Sequence, residues 1–131
     1  MARIIIAEDD EIIGEIARDA LVAEGHGVGL LTNGKDALAV IKQRQPDLVI
    51  LDCNMPDLSG LLVLREMRNS ETMCEIPVLI LTGRRSERDV ELAMNEGAND
   101  YMKKPFDPDE LAFRVQTLLE KHANRAPAAK R

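Results

Sequence analysis

Short, unbroken apolar runs alternate along the chain with longer stretches in which apolar residues return every three or four positions. Ile4-Ile5-Ile6-Ala7 is the first run; Leu48-Val49-Ile50-Leu51 and Val78-Leu79-Ile80-Leu81 are the strongest. Weaker runs cover residues 28–31 and 100–102. Between the first two, residues 11–24 place Ile12, Ile13, Ile16, Ala17, Ala20 and Leu21 at helical spacing, and Gly25 ends the segment. Asn33-Gly34 opens a second helical stretch with Ala37, Leu38 and Ile41, closed by Pro46. Residues 55–60 read as a loop. Residues 61–68 give a third helix, with Leu61, Leu64 and Met67 inward, and residues 90–96 a fourth. The last helix has Asp107 as N-cap and Pro108, Asp109 and Glu110 in its first turn, followed by Leu111, Val115, Leu118 and Leu119.

Five strand-then-helix units predict an α/β fold, a five-stranded parallel sheet with helices on both faces. The runs are continuous rather than alternating, as strands covered on both sides require. One domain is expected over residues 1–122. Residues 123–131 are small, polar and basic, and read as a flexible tail or the start of a truncated linker.

Composition narrows the function. The chain has 131 residues, enough for a core without metals or disulfides. Its net charge of -6 disfavours binding to nucleic acid or anionic membranes through bulk charge. Cys53 and Cys74 form no CxxC pair, and Cys53 reads as an ordinary buried thiol. The N-terminal apolar run is too short for a signal peptide or membrane span, so a cytoplasmic location is expected.

In an open parallel sheet, function gathers beyond the carboxyl ends of the strands. Glu8, Asp9 and Asp10 follow the first run, Asp52 the third, Thr82 and Gly83 the fourth, and Lys104 and Pro105 the fifth. Carboxylates brought together repel unless one is protonated or a cation binds, and Mg²⁺ suits such an oxygen-only set. The triad 8–10 also suits a simple helix cap. A hydroxyl and an ammonium converging on an acidic pocket suggest a phosphoryl group.

Ile-Ile-Ala-Glu8-Asp9-Asp10, Leu51-Asp52-x-x-Met55-Pro56-x-x-x-Gly60, Ile80-Leu81-Thr82-Gly83 and Gly97-Ala98-Asn99-Asp100-Tyr101-Met102-Lys103-Lys104-Pro105-Phe106 occur in that order. Together they resemble the receiver domain of two-component response regulators, of the kind seen in the single-domain chemotaxis regulator, over residues 2–121. The resemblance implies a flavodoxin-like (βα)5 fold with strand order 2-1-3-4-5. It implies Asp52 as phosphoacceptor, with one Mg²⁺ held by Glu8 (mainly through water), Asp9, Asp52 and the backbone carbonyl of Asn54. Asp10 lies just beyond the acid pair and is not expected to be a ligand. Thr82 and Lys104 would contact the phosphoryl group; Lys103 would point to the opposite side. The Lys104-Pro105 bond would be cis.

The implied donor is a sensor histidine kinase, a phosphotransfer protein or a small acyl phosphate. Thr82 and Tyr101 would act as a coupled switch, relaying the change to a downstream protein on the face of the fourth helix, fifth strand and fifth helix. Asn54 and Arg84 would modulate the reset rate. The chain would catalyse only its own phosphorylation and dephosphorylation. Asp100 and Arg114 resemble a dimer-face pair of winged-helix regulators, although Asn99 replaces an acid common there. A monomer is expected when unphosphorylated and a dimer is possible when phosphorylated. Rival readings are an interaction module of the same fold that works without phosphorylation, and the receiver half of a longer regulator. An aspartyl phosphatase lacks its second Asp here, because Asp52 is followed by Cys53-Asn54. A flavodoxin-like cofactor binder would meet three acids where it needs a phosphate loop.

Overall fold

A computed structural model describes residues 1–83 and 87–123. The elements are β1(Arg3–Ala7), α1(Glu11–Ala23), β2(Gly27–Leu31), α2(Gly34–Arg44), β3(Leu48–Asp52), α3(Gly60–Arg68), β4(Val78–Thr82), α4(Glu87–Asn95), β5(Asp100–Lys103) and α5(Pro108–Lys121). The strands form one sheet in the order β2-β1-β3-β4-β5, and every neighbouring pair is parallel. This is the predicted doubly covered sheet, in the order that the resemblance implied.

Strand side chains alternate between two cores. Ile5, Ala7, Val49, Leu51, Val78 and Ile80 pack under α2, α3 and α4. Ile4, Ile6, Leu48, Ile50, Leu79 and Leu81 pack under α1 and α5. Each fully buried Leu, Ile or Val removed from water contributes roughly 1.5–3 kcal/mol. Two faces filled in this way account for the unbroken apolar runs of β3 and β4.

The caps are local and strong. Asp10 accepts from the backbone N–H groups of Ile12 and Ile13 at the start of α1. Asn33, Ser59 and Asp107 cap α2, α3 and α5 in the same way. The cap reading of the acidic triad therefore holds for Asp10. The fourth helix starts at Glu87, three residues earlier than expected, with Glu87 and Asp89 in its first turn.

The expected stripe of α1 needs correction. Its buried residues are Gly14, Ala17 and Leu21, whereas Ile12 is 72% and Ile16 43% exposed. Six apolar positions spanned too wide an arc for one face. The sheet takes the side with Gly14, because a Cβ there would lie 2.9 Å from Leu30 Cδ1 and hold the helix off β2. Ile12 and Ile16 lie on the opposite side.

His26 is buried, and its Nδ1 accepts the Ala2 N–H at 3.1 Å. Burial, then the N-terminal ammonium, hold its pKa below the ordinary 6.5. A base depressed in the fold leaves the unfolded chain binding more protons. The stability it contributes is therefore present above about pH 6.5 and lost as the pH falls toward the lower folded value. Urea melts of wild type and His26→Asn, which keeps an acceptor, should diverge on acidification, with the wild type losing more. Parallel pH profiles would refute this account.

Candidate functional site

The carboxyl ends of β1, β3, β4 and β5 converge on one depression. Glu8 follows β1 and is fully buried; Asp9 beside it is exposed. Asp52 closes β3 and is 4% exposed. One carboxylate oxygen from each of Glu8, Asp9 and Asp52 lies within 4.8 Å of the others. Lys104, just past β5, places Nζ 2.8 Å from Glu8 Oε1 and 3.3 Å from Asp52 Oδ1. The Lys104-Pro105 bond is cis. Lys103 points away, exposed, with Nζ 3.9 Å from Glu87 Oε1.

Backbone donors fix the acids. The Asn54 N–H donates to Asp52 Oδ1 at 3.2 Å, and the Asp10 N–H donates to Glu8 Oε2 at 3.1 Å. Gly60 lets the loop after β3 fold back: its N–H reaches the Cys53 carbonyl at 3.1 Å, and a Cβ would collide with the Asp52 carbonyl. Thr82 closes β4, fully buried, with Oγ1 donating to the Gly83 carbonyl at 3.4 Å. Cys53 is buried, and burial first of all pushes its thiol up to about 12, so it is inert.

The electrostatics are unbalanced. Burial raises the Asp52 pKa to about 7, helped by a hydrogen bond with Glu8 and the Glu8 charge, against the pull of Lys104. Burial on its own would lower Lys104, but Glu8 and Asp52 outweigh it and hold the ammonium above its ordinary range. Three carboxylates thus share one ammonium. An oxygen-only donor set with excess negative charge suits a hard divalent cation, and the residues fit that group.

Tyr101 lies on edge strand β5 and is 37% exposed. Its N–H donates to Asp100 Oδ1 at 2.8 Å, and its carbonyl accepts from Arg114 Nη1 at 2.9 Å. Asp100 and Arg114 pair with each other at 3.1 Å within the chain. Asn54 is exposed beside the pocket. Arg84 and residues 124–131 lie outside the described residues.

One functional group in the fold escaped the sequence reading. Arg68, at the end of α3, donates to the carbonyls of Gly97, Cys74 and Ile76 and to Asn99 Oδ1. Asn99 thus serves the fold, its Oδ1 also accepting from the Val78 N–H at 2.8 Å.

The sheet order and the acids at its strand ends define a single-sheet α/β module with an acidic pocket at the carboxyl ends of its strands. The family model of the response regulator receiver domain matches residues 4–116, and the chain belongs to that family. It is 40% identical over 126 residues to the transcriptional regulatory protein PcoR of Escherichia coli, covering 96% of this chain and 55% of PcoR. It is 39% identical over 119 residues to the response regulator MprA of Mycolicibacterium vanbaalenii, covering 91% of this chain and 51% of that protein. The chain therefore spans about half the length of the curated relatives it matches. Among solved structures it is similar to a CheY-like receiver domain protein from Methanospirillum hungatei, with TM-score 0.88 and 25% identity, covering 96% of this chain and 99% of that one. The receiver domain of Francisella response regulator 1452 gives TM-score 0.84 and 29% identity, covering 92% and 98%.

Proposed function

We propose that Asp52 is the phosphoacceptor of this receiver and that the phosphoryl group shifts the surface formed by α4, β5 and α5. The observation that carries the reading is the buried Asp52 carboxylate at a strand end, 3.3 Å from Lys104 Nζ and within 4.8 Å of the Glu8 and Asp9 oxygens. The donor is a phosphohistidine on a sensor kinase or phosphotransfer protein, or a small acyl phosphate. Bound Mg²⁺, held by Glu8, Asp9, Asp52 and the Asn54 carbonyl, would offset the charge that grows on the transferring phosphoryl oxygens.

The chain's own residues supply positioning. The Asn54 N–H orients the Asp52 carboxylate for attack on phosphorus. Lys104 gives its ammonium to a phosphoryl oxygen in exchange for one of its two carboxylate partners. Thr82 turns its hydroxyl to the phosphoryl group, exchanging the long contact to Gly83 for a charge-assisted hydrogen bond. Tyr101, half outside, enters the space that Thr82 leaves, and the α4–β5–α5 face reports the change by population shift. Asn54 and Arg84, two positions after Asp52 and Thr82 in the sequence, set the rate at which water hydrolyses the acyl phosphate. The chain turns over only its own phosphoryl group.

The partners are a kinase or phosphotransfer protein, docking beside the pocket where Ile13 and the exposed Ile16 adjoin Phe106, and a downstream protein on the α4–β5–α5 face. The proposed compartment is the cytoplasm; among the described residues, no helix is long and apolar enough to cross a membrane.

Intact mass after incubation with acetyl phosphate tests the assignment. Wild type should gain one phosphoryl group only with Mg²⁺, and Asp52→Asn should gain none. An adduct that persists in Asp52→Asn, or that forms equally without Mg²⁺, would sink it.

A further inference from the structure

The two edges of the sheet are built differently. On β5, Lys104 donates its N–H to Thr82 on the inner side at 2.7 Å, so alternation turns the N–H and C=O of Tyr101 outward. Both are covered, by Asp100 and Arg114 respectively. On β2, Gly27 donates to the Ala2 carbonyl and Leu31 accepts from the Glu8 N–H, both at 2.9 Å. Gly27, Gly29 and Leu31 therefore face β1, and Val28 and Leu30 turn their N–H and C=O groups outward. Among the described residues, no side chain bonds to these four groups. The strand, Gly-Val-Gly-Leu-Leu, has no charge and no proline, the usual guards of an edge. On the α2 face, its glycines leave a trench of about 450 Å³ bordered by Ile5, Val40 and Arg44.

We propose that β2 pairs antiparallel with β2 of a second copy of this chain, about a two-fold axis at Gly29, joining two five-stranded sheets into one. The edge itself sets the register. Val28 exchanges both backbone hydrogen bonds with Leu30 of the second copy, because only these residues have outward groups. Gly27 then lies opposite Leu31 of the second copy on the α2 face, and the trench receives that leucine. The fit is reciprocal, as a two-fold interface requires. A Cβ at Gly27 would find nothing closer than Met1 Cε at 3.8 Å, so the space is open within the chain. On the other face, Val28 and Leu30 form an apolar cross-strand pair. Pairing also sets the two α2 helices antiparallel, so the C-terminal end of one, with Lys42 and Arg44, runs toward the positive-dipole N-terminal end of the other, where Lys35 and Asp36 balance. One short strand pair is small beside the roughly 1,200 Å² of a stable interface. The pairing is therefore weak: the chain is the expected monomer when dilute and associates at high concentration.

Sedimentation equilibrium of the whole chain from micromolar to millimolar concentration should show the mass rising toward twice the monomer. Gly27→Lys places a charge in the trench without a clash in its own chain; it should abolish the rise and leave the far-UV spectrum unchanged. In a Cys74→Ser background treated with oxidised glutathione, Gly29→Cys should form a disulfide-linked dimer, since residue 29 and its copy form a non-hydrogen-bonded pair with Cα atoms about 4.5 Å apart. Gly27→Cys should not, because its copy lies about 13 Å along the ladder. A chain monomeric at millimolar concentration, a dimer indifferent to Gly27→Lys, or cross-linking at 27 in preference to 29 overturns the proposal. If Gly29→Cys does not fold, the Gly27→Lys series decides.

Discussion

Replacing Arg68 by methionine should lower the free energy of unfolding by about 1–3 kcal/mol, the range for leaving a buried acceptor unpaired. Its guanidinium donates from Nε to Gly97 at 3.0 Å, from Nη1 to Cys74 at 3.1 Å and Ile76 at 2.9 Å, and from Nη2 to Asn99 Oδ1 at 3.0 Å. Burial holds its pKa below the ordinary arginine range, and among the described residues no carboxylate pairs with it. Four oxygens from two connections thus stand in for a counter-ion, and Arg68 ties the approach to β4 to the approach to β5. Methionine matches the stem and strands the oxygens. Arg68→Lys keeps the charge but not the planar fork, and should recover only a minor part. The comparison is Arg65→Met, which removes an exposed pair with Glu96 and should cost less than about 1 kcal/mol. Urea melts of the three variants read these differences. A loss for Arg68→Met no larger than for Arg65→Met would mean that the carbonyls rehydrate freely.

The contrast between Arg68 and Asp52 shows what a sequence displays. Asp52, Thr82 and Lys104 were legible because each follows an apolar run, and a parallel sheet turns such positions toward one another. Asp52 and Lys104 meet side chains at other strand ends, which obey the same rule. Arg68 binds mainly carbonyl oxygens of turns, and a carbonyl has no signature in the residue that carries it. It read only as the last residue of a helix. The stripe of α1 failed for a related reason. Periodicity marks Ile12 and Ile16 as apolar, but the close approach permitted by Gly14 decides which side meets the sheet. Asp100 and Arg114 were visible as a resemblance to a dimer-face pair. Only the backbone of Tyr101 shows that within this chain they close a sheet edge.

Replacing Lys104 by methionine should cost about 3 kcal/mol in metal-free buffer, the low end for breaking a buried pair, because the side chain keeps 17% of its surface exposed. Glu8 and Asp52 would be left buried together with no cation. The cluster has one internal remedy, protonation of Asp52. That carboxyl already sits at about 7, against 3.8 when free, through burial and then Glu8. An acid raised in the fold binds its proton more tightly there than in the unfolded chain. The stability it contributes is therefore complete below about pH 4 and lost as the pH rises through about 7. Metal-free wild type should weaken across that window, Lys104→Met should weaken further at neutral pH, and Asp52→Asn should flatten the slope. Mg²⁺ should act in the opposite sense. A ligand that binds only the fold adds about 2.7 kcal/mol at a hundredfold excess over its Kd, enough to return most of what Lys104→Met loses. Thermal melts with EDTA and with millimolar Mg²⁺, across pH, separate the contributions. A Lys104→Met protein as stable as wild type without metal, and unmoved by Mg²⁺, would show that the three carboxylates are already relieved by solvent and hold no cation.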